Sequence, residues 1–261
     1  MLNRRVTLEV AGIELAGQLY LPTGRPPYPT VCVCHGIPAK TRELGDGGYP
    51  LLAEKICRCG FAVLIFNFRG TGESSGNFDI LSWTQDLEVA VDYLWSLPEL
   101  NQSRLALLGF SAGAAVAIYV AAQDRRISSV VACASPAEFS FFTEADNSQS
   151  LIDHFRDLGI IRDKGFPPSI PEWLRGFREV SPIQHVAKIA PRPILFLHGS
   201  KDDVVAVSHA HRLYAKAKEP KRLAIIEEVG HRLRLSDEAV AIAIDWLKSH
   251  WEIDPEIGNS L

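Results

Sequence analysis

The chain opens with two short alternating runs, Arg4 to Val10 and Ile13 to Leu21, on either side of Ala11-Gly12. Period-two alternation around a Gly-containing turn predicts a β-hairpin. Pro22 to Pro29 then forms a turn-rich connection, and the pattern changes. Apolar strand-like runs at Thr30 to Cys34, Ala62 to Phe66, Arg104 to Leu108, Ser128 to Cys133, Pro193 to Leu197 and Arg222 to Glu228 alternate with longer helical stretches. The helices are expected at Tyr49 to Cys59, Ser82 to Ser96, Ala112 to Gln123, Ser208 to Ala217 and Ser236 to His250. Such alternation predicts an α/β fold, a mostly parallel central sheet flanked by helices. Ala112 to Ala122 is almost wholly small and apolar, as a helix buried against a sheet must be, rather than striped.

One stretch breaks the rhythm. Residues 135–189 separate the strand ending near Cys133 from the one starting at Pro193 and carry seven aromatic residues between Phe139 and Phe177. A structureless loop of this length is improbable inside a compact domain, so a small, partly helical lid or cap is expected, inserted into a core of residues 1–134 and 190–261. Aromatic residues in such an insertion are expected to build a pocket over the sheet edge.

Composition narrows the class. The 27 Lys and Arg against 31 Asp and Glu give a formal charge of −4 with no basic block, which argues against a nucleic-acid partner. Polar Thr7 and Glu9 interrupt the first ten residues, and nowhere do about 18 apolar residues run together, so neither a signal peptide nor a membrane partner is expected. Five cysteines, four of them in pairs spaced by one residue, fit neither a disulfide framework nor a C-x-x-C metal site. Reduced, buried thiols in a cytoplasmic protein are the expectation. Oligomeric state is not written in the pattern.

The chemistry concentrates at Gly109-Phe110-Ser111-Ala112-Gly113. G-x-S-x-G alone arises often by chance, but here a strand feeds directly into it and an apolar helix leaves it. Ser111 then sits on a tight strand-to-helix turn as a candidate nucleophile. A plain helix N-cap, the bland alternative, needs no flanking glycines. The free amide of Ala112 at the helix start can donate to an oxyanion, and His35-Gly36-Ile37 after the first parallel strand offers the Ile37 amide as a second donor.

A serine hydroxyl needs a base, and eight histidines compete. His231 follows the last strand through Val229-Gly230, at the same sheet edge as Ser111, and is the choice. His35 and His198 lie in His-Gly turns, and His209 and His211 are two apart on one helix, a poor metal pair. The base needs a carboxylate, and His198-Gly199-Ser200-Lys201-Asp202-Asp203 supplies two adjacent acids that spacing does not separate.

In the order Ser, Asp, His, the chain closely resembles the α/β-hydrolase superfamily over essentially its whole length. The family's strand-end H-G-x-x-D implies Asp202 rather than Asp203. Asn67-Phe68-Arg69-Gly70-Thr71-Gly72-Glu73-Ser74 is similar to the family's R-G-x-G-x-S loop, which implies a structural Arg69. The single Gly36 departs from the H-G-G-G branch and looks more like small bacterial carboxylesterases, including cinnamoyl and feruloyl esterases. It also looks like the catalytic domain of prolyl-oligopeptidase relatives, without their N-terminal propeller. The resemblance implies two-step hydrolysis of an ester through an acyl-enzyme on Ser111, with no metal or organic cofactor needed. Thioesters, lactones and small amides are alternative substrates of the same triad, and a non-catalytic ligand-binding protein with this fold is the reading from another class.

Overall fold

The computed structural model describes residues 1–40, 46–143 and 148–251. Its frame is one eight-stranded sheet: β1 (Leu2–Val10), β2 (Ile13–Leu21), β3 (Tyr28–Cys34), β4 (Ala62–Phe66), β5 (Leu100–Phe110), β6 (Ser129–Cys133), β7 (Ile194–Gly199) and β8 (Lys221–Ile226). The spatial order is β1-β2-β4-β3-β5-β6-β7-β8, antiparallel at β1, β2 and β4 and parallel from β4 onward. The inner parallel strands β3, β4, β6 and β7 and the second half of β5 are buried on both faces, which is why they read as continuous apolar runs rather than alternating ones. Cys32 and Cys34 point to one face of β3 and Val31 and Val33 to the other, and all four are buried, the cysteines as free thiols.

Helices α1 (Gly48–Arg58), α2 (Ile80–Ser96), α3 (Ala112–Gln123), α4 (Ser140–Thr143), α5 (Ser148–Asp157), α6 (Ile170–Glu179), α7 (Ser208–Lys216) and α8 (Asp237–Trp251) cover the sheet. On one face α2 and α3 pack with the helices of residues 135–189, and on the other lie α1 and α8. Several boundaries differ from the sequence expectation, β5 most at Leu100–Phe110, and two of them have a visible local reason. Helix α2 starts two residues early because Asp79 Oδ1 accepts the N–H groups of Leu81 and Ser82 at 2.9 and 3.0 Å. Strand β8 stops at Ile226, before Glu228 turns into the left-handed region at φ 59° and gives its N–H to Ser200 Oγ.

The aromatic residues of 135–189 settle where sequence reading did not place them. Phe155, Trp173 and Phe177 surround Phe78, with ring centroids 4.7, 6.4 and 5.9 Å away, and Trp173 Nε1 donates to Phe78 O at 3.1 Å. Phe78 N–H in turn donates to Ile160 O, and Arg162 donates to Ser74 O and Gly72 O. The segment is thus buttoned to α2 and to the loop before it. The side chain of Phe141 lies outside the described residues. Phe139, Phe155, Trp173 and Phe177 bury more area in a shared core than over an open edge, and that is the physical reason for the difference.

Phe177, fully buried in this cluster, should therefore carry stability for the whole domain. Phe177→Ala is expected to lower the unfolding free energy by about 3 to 5 kcal/mol in a single cooperative transition. A second, separate transition in urea, with the main one unmoved, would mean that the segment folds apart from the sheet.

Candidate active site

Ser111 occupies the turn between β5 and α3 at φ 53° and ψ −124°, a conformation that L side chains rarely adopt, and its side chain caps nothing. Its N–H donates to Cys133 O at 2.8 Å while its carbonyl accepts from Ala114 and Ala115. The helix-cap alternative is therefore ruled out by geometry. What allows the turn is the absence of two side chains. A Cβ on Gly109 would lie 2.4 Å from Ala114 Cα, and one on Gly113 would lie 2.3 Å from His35 O and 2.4 Å from Cys34 O. A Cβ on Gly36 would lie 2.9 Å from Ser111 Cβ, so the loop after β3 runs directly past the serine.

That loop is held by His35. Its Nδ1 donates to Gly36 O at 2.7 Å and its Nε2 accepts the Phe68 N–H at 3.1 Å, an arrangement that requires a neutral ring. Burial lowers its pKa to about 4. Fixing Gly36 O fixes the Gly36–Ile37 peptide plane. No described residue accepts a hydrogen bond from the Ile37 or the Ala112 N–H.

His231 lies beyond β8, its imidazole 20% exposed, with Nδ1 at 2.8 and 3.0 Å from the two carboxylate oxygens of Asp202. The loops that carry them are laced together. Ser200 N–H donates to Ile226 O and Lys201 N–H to Val229 O, and a Cβ on Gly199 would lie 2.1 Å from Val229 O. Asp202 Oδ1 also accepts the N–H groups of Val204 and Val205 at 3.0 and 2.8 Å. Burial alone would raise the Asp202 carboxyl, but contacts from His198, His231 and the Val205 N–H outweigh it and hold the group well below the usual carboxylate range. Asp203 is exposed, and the geometry separates the two acids that spacing left open.

Ser111, Ile37 and His231 line one cleft of about 650 Å³, within the usual range for small-molecule sites. Ser111 Oγ makes no hydrogen bond to His231, whose Nδ1 is turned to Asp202. Gln18, Asn67 and Glu73 are among the cleft's polar lining, Ile65, Phe66 and Phe110 among its apolar lining, and among the described residues none of the lining comes from 135–189. For the described aromatics of that segment, the expectation that they build the pocket is thereby corrected.

Sequence reading missed a clamp across the cleft mouth. Arg234, three residues after His231, forks onto both oxygens of Asp46 and lies 5.4 Å from the ring centroid of Tyr49. The Arg234 contact lowers the Asp46 pKa to about 2, and burial pushes Tyr49 up to about 12. It ties the entry to α1 to the histidine loop across 188 positions of sequence, a separation that no local pattern signals. Arg69 anchors its own loop on buried Asp86 through Nε and Nη2 at 2.9 and 2.6 Å.

A strained strand-to-helix turn at Ser111, a histidine held by a buried aspartate and a mostly parallel sheet are the features of an α/β hydrolase. A family model described as the alpha/beta hydrolase fold matches residues 29–173, and the chain belongs to that family. The Escherichia coli O157:H7 protein YfhR is 28% identical over 179 residues, covering 68% of this chain and 55% of that protein. This chain spans about half the length of the curated relatives it matches first. Among solved structures, the alpha/beta hydrolase GrgF of Penicillium sp. sh18 superposes with a TM-score of 0.76 at 20% identity, covering 97% of this chain and 100% of that one. Est1E of Butyrivibrio proteoclasticus, solved with ferulic acid bound, gives 0.71 at 19% identity, covering 95% and 98%. At these identities the likeness is one of fold. No helix among the described residues is long and apolar enough to cross a membrane.

The neutral state of His35 has a consequence for stability. Its pKa is lowered from 6.5 to about 4 in the fold, so the unfolded chain takes up a proton between these values that the folded chain refuses. The stability contribution is complete above about pH 6.5 and is lost as pH falls toward 4, by about 3 kcal/mol. Urea unfolding of the native protein and of His35→Asn across this range should show a steeper loss in the native protein. Equal slopes would contradict a buried neutral imidazole.

Proposed function

We propose that the chain is a serine hydrolase of carboxylic esters, with Ser111 as nucleophile, His231 as general base and then acid, and Asp202 as the carboxylate that orients the imidazole. The observation that carries this reading is the strained, uncapped Ser111 turn opening on the same cleft as a histidine held by a buried carboxylate.

In the reaction, Ser111 Oγ attacks the ester carbonyl while His231 Nε2 takes its proton. The charge that appears on the carbonyl oxygen is met by the Ile37 and Ala112 N–H groups, which are fixed before substrate arrives and cost little reorganisation. Collapse of the tetrahedral intermediate expels the alkoxide, which takes the proton from His231. Water then repeats the sequence on the acyl-enzyme and restores Ser111. Asp202 stays ionised throughout, fixing Nδ1 as the protonated nitrogen and stabilising the imidazolium. The chain's own residues supply every proton transfer in this scheme.

Apolar Ile37, Phe66 and Phe110 line the cleft beside polar Gln18, Asn67 and Glu73, which supports small esters that carry both apolar and hydrophilic groups.

Ser111→Ala is expected to cut kcat on p-nitrophenyl acetate by about 10⁴-fold or more, and Asp202→Asn by roughly 10³-fold or more, with the fold retained. Asp203→Asn should change kcat by less than about threefold, as an exposed group outside the pair. Ester hydrolysis that survives Ser111→Ala would remove the proposed mechanism, and equal losses at Asp202 and Asp203 would remove the assignment of the acid.

A further inference from the structure

The Asp202 carboxylate faces a second imidazole that the scheme above leaves idle. His198, at the end of β7, has a fully buried side chain. Its Nε2 lies 2.8 Å from Val205 O and 3.2 Å from Asp202 Oδ2, the same oxygen that approaches His231 Nδ1 at 2.8 Å. Its Nδ1 is buried with no hydrogen-bond partner.

These contacts fix the ring's protonation state. A carbonyl oxygen only accepts, so Nε2 must carry a proton. A second proton on Nδ1 would place an unpaired donor of a charged ring in the interior, at a cost the fold does not offset. The ring is therefore the neutral Nε2–H tautomer, its N–H directed to Val205 O with Asp202 Oδ2 beside it at 3.2 Å. The other titratable groups around this pair are His231 and His209. His209 Nδ1 accepts the Ala137 N–H at 3.0 Å, and its neighbours Arg212 and Glu138 pair with each other at 2.7 Å.

We infer that His198 is a positioning residue for the proposed reaction: its Nε2–H locks Asp202 Oδ2 toward His231 and takes up part of the carboxylate's charge. The inference rests on the Ser111–His231–Asp202 reading. Oδ1 is already fixed by the Val204 and Val205 amides, so His198 supplies the second point that stops the carboxylate from swinging about its Cβ–Cγ bond. Oδ2 has no other donor among the described residues besides His231. Without that N–H the negative charge concentrates on the oxygen facing His231. The imidazolium is then favoured too strongly in the resting enzyme, and the orientation of the base loosens.

The test compares His198→Leu, which keeps bulk and loses the donor, with His198→Gln, which offers an N–H at similar reach. His198→Leu is expected to lower kcat roughly tenfold with KM little changed, and to move the acid limb of kcat/KM to higher pH by about half a unit or more. His198→Gln should recover most of both effects. A folded His198→Leu enzyme with native kcat and an unmoved limb overturns the inference, as does an equal loss in the two variants. Should the leucine variant fail to fold, nitrogen NMR of the native protein decides: His198 should show the Nε2–H tautomer. An Nδ1–H tautomer overturns it. Activity that survives Ser111→Ala brings down the triad itself, whereas Ser111-dependent activity indifferent to His198 brings down only this inference.

Discussion

Backbone meets backbone at Ser111 at distances that leave no room for a β-carbon, and the rest of the site depends on that contact. Gly113 lies against the carbonyls of Cys34 and His35, and Gly109 against Ala114. Strand β5, helix α3 and the loop after β3 are thereby brought to a single point. The helix start with its free Ala112 amide, the Ile37 amide and the serine hydroxyl share one small volume because three glycines, Gly36, Gly109 and Gly113, remove the atoms that would separate them. The alanines of α3 extend the same economy of space along the sheet, letting the helix that follows Ser111 pack closely against it.

The second constraint is electrostatic. A carboxylate with no solvent exposure survives as an anion only if its oxygens are met by donors, and the β7 loop supplies them from within a few residues of Asp202. The loops after β7 and β8 are joined by backbone hydrogen bonds, so that His231 and Asp202 move as one piece. Arg234 on Asp46 then links this piece to the entrance of α1. Ser111, Ile37 and His231 come from separate strand ends, yet each is fixed by contacts between loops rather than within them.

Much of this was legible in the chain because it is local. The strand–Gly–x–Ser–x–Gly–small-helix run describes its own turn, and parallel strands announce themselves by unbroken apolar stretches. The hairpin and the placing of His231 at the sheet edge of Ser111 follow from the same reasoning. Asp202 against Asp203 was different: adjacent residues have the same reach in sequence, and only the family pattern and then the buried contact to His231 separated them. The direction in which Phe155, Trp173 and Phe177 face was not legible, since composition says that aromatics will be buried but not against what. His198 read as an ordinary His-Gly turn. Its position four residues before Asp202 was the available signal, and its significance needs the fold of the loop. The Asp46–Arg234 clamp had no sequence signal at all.

The claim at the centre of this account is that Ser111 is the atom-bearing nucleophile. Trypsin releases it in the peptide Leu105–Arg125, which contains a single serine. Reaction with a fluorophosphonate followed by mass mapping tests the claim directly. The account predicts one stable adduct per chain, located on Ser111 in that peptide and abolished when Asp202 or His231 is replaced. An adduct on any other residue, or a protein that hydrolyses esters while leaving this peptide unmodified, would contradict it.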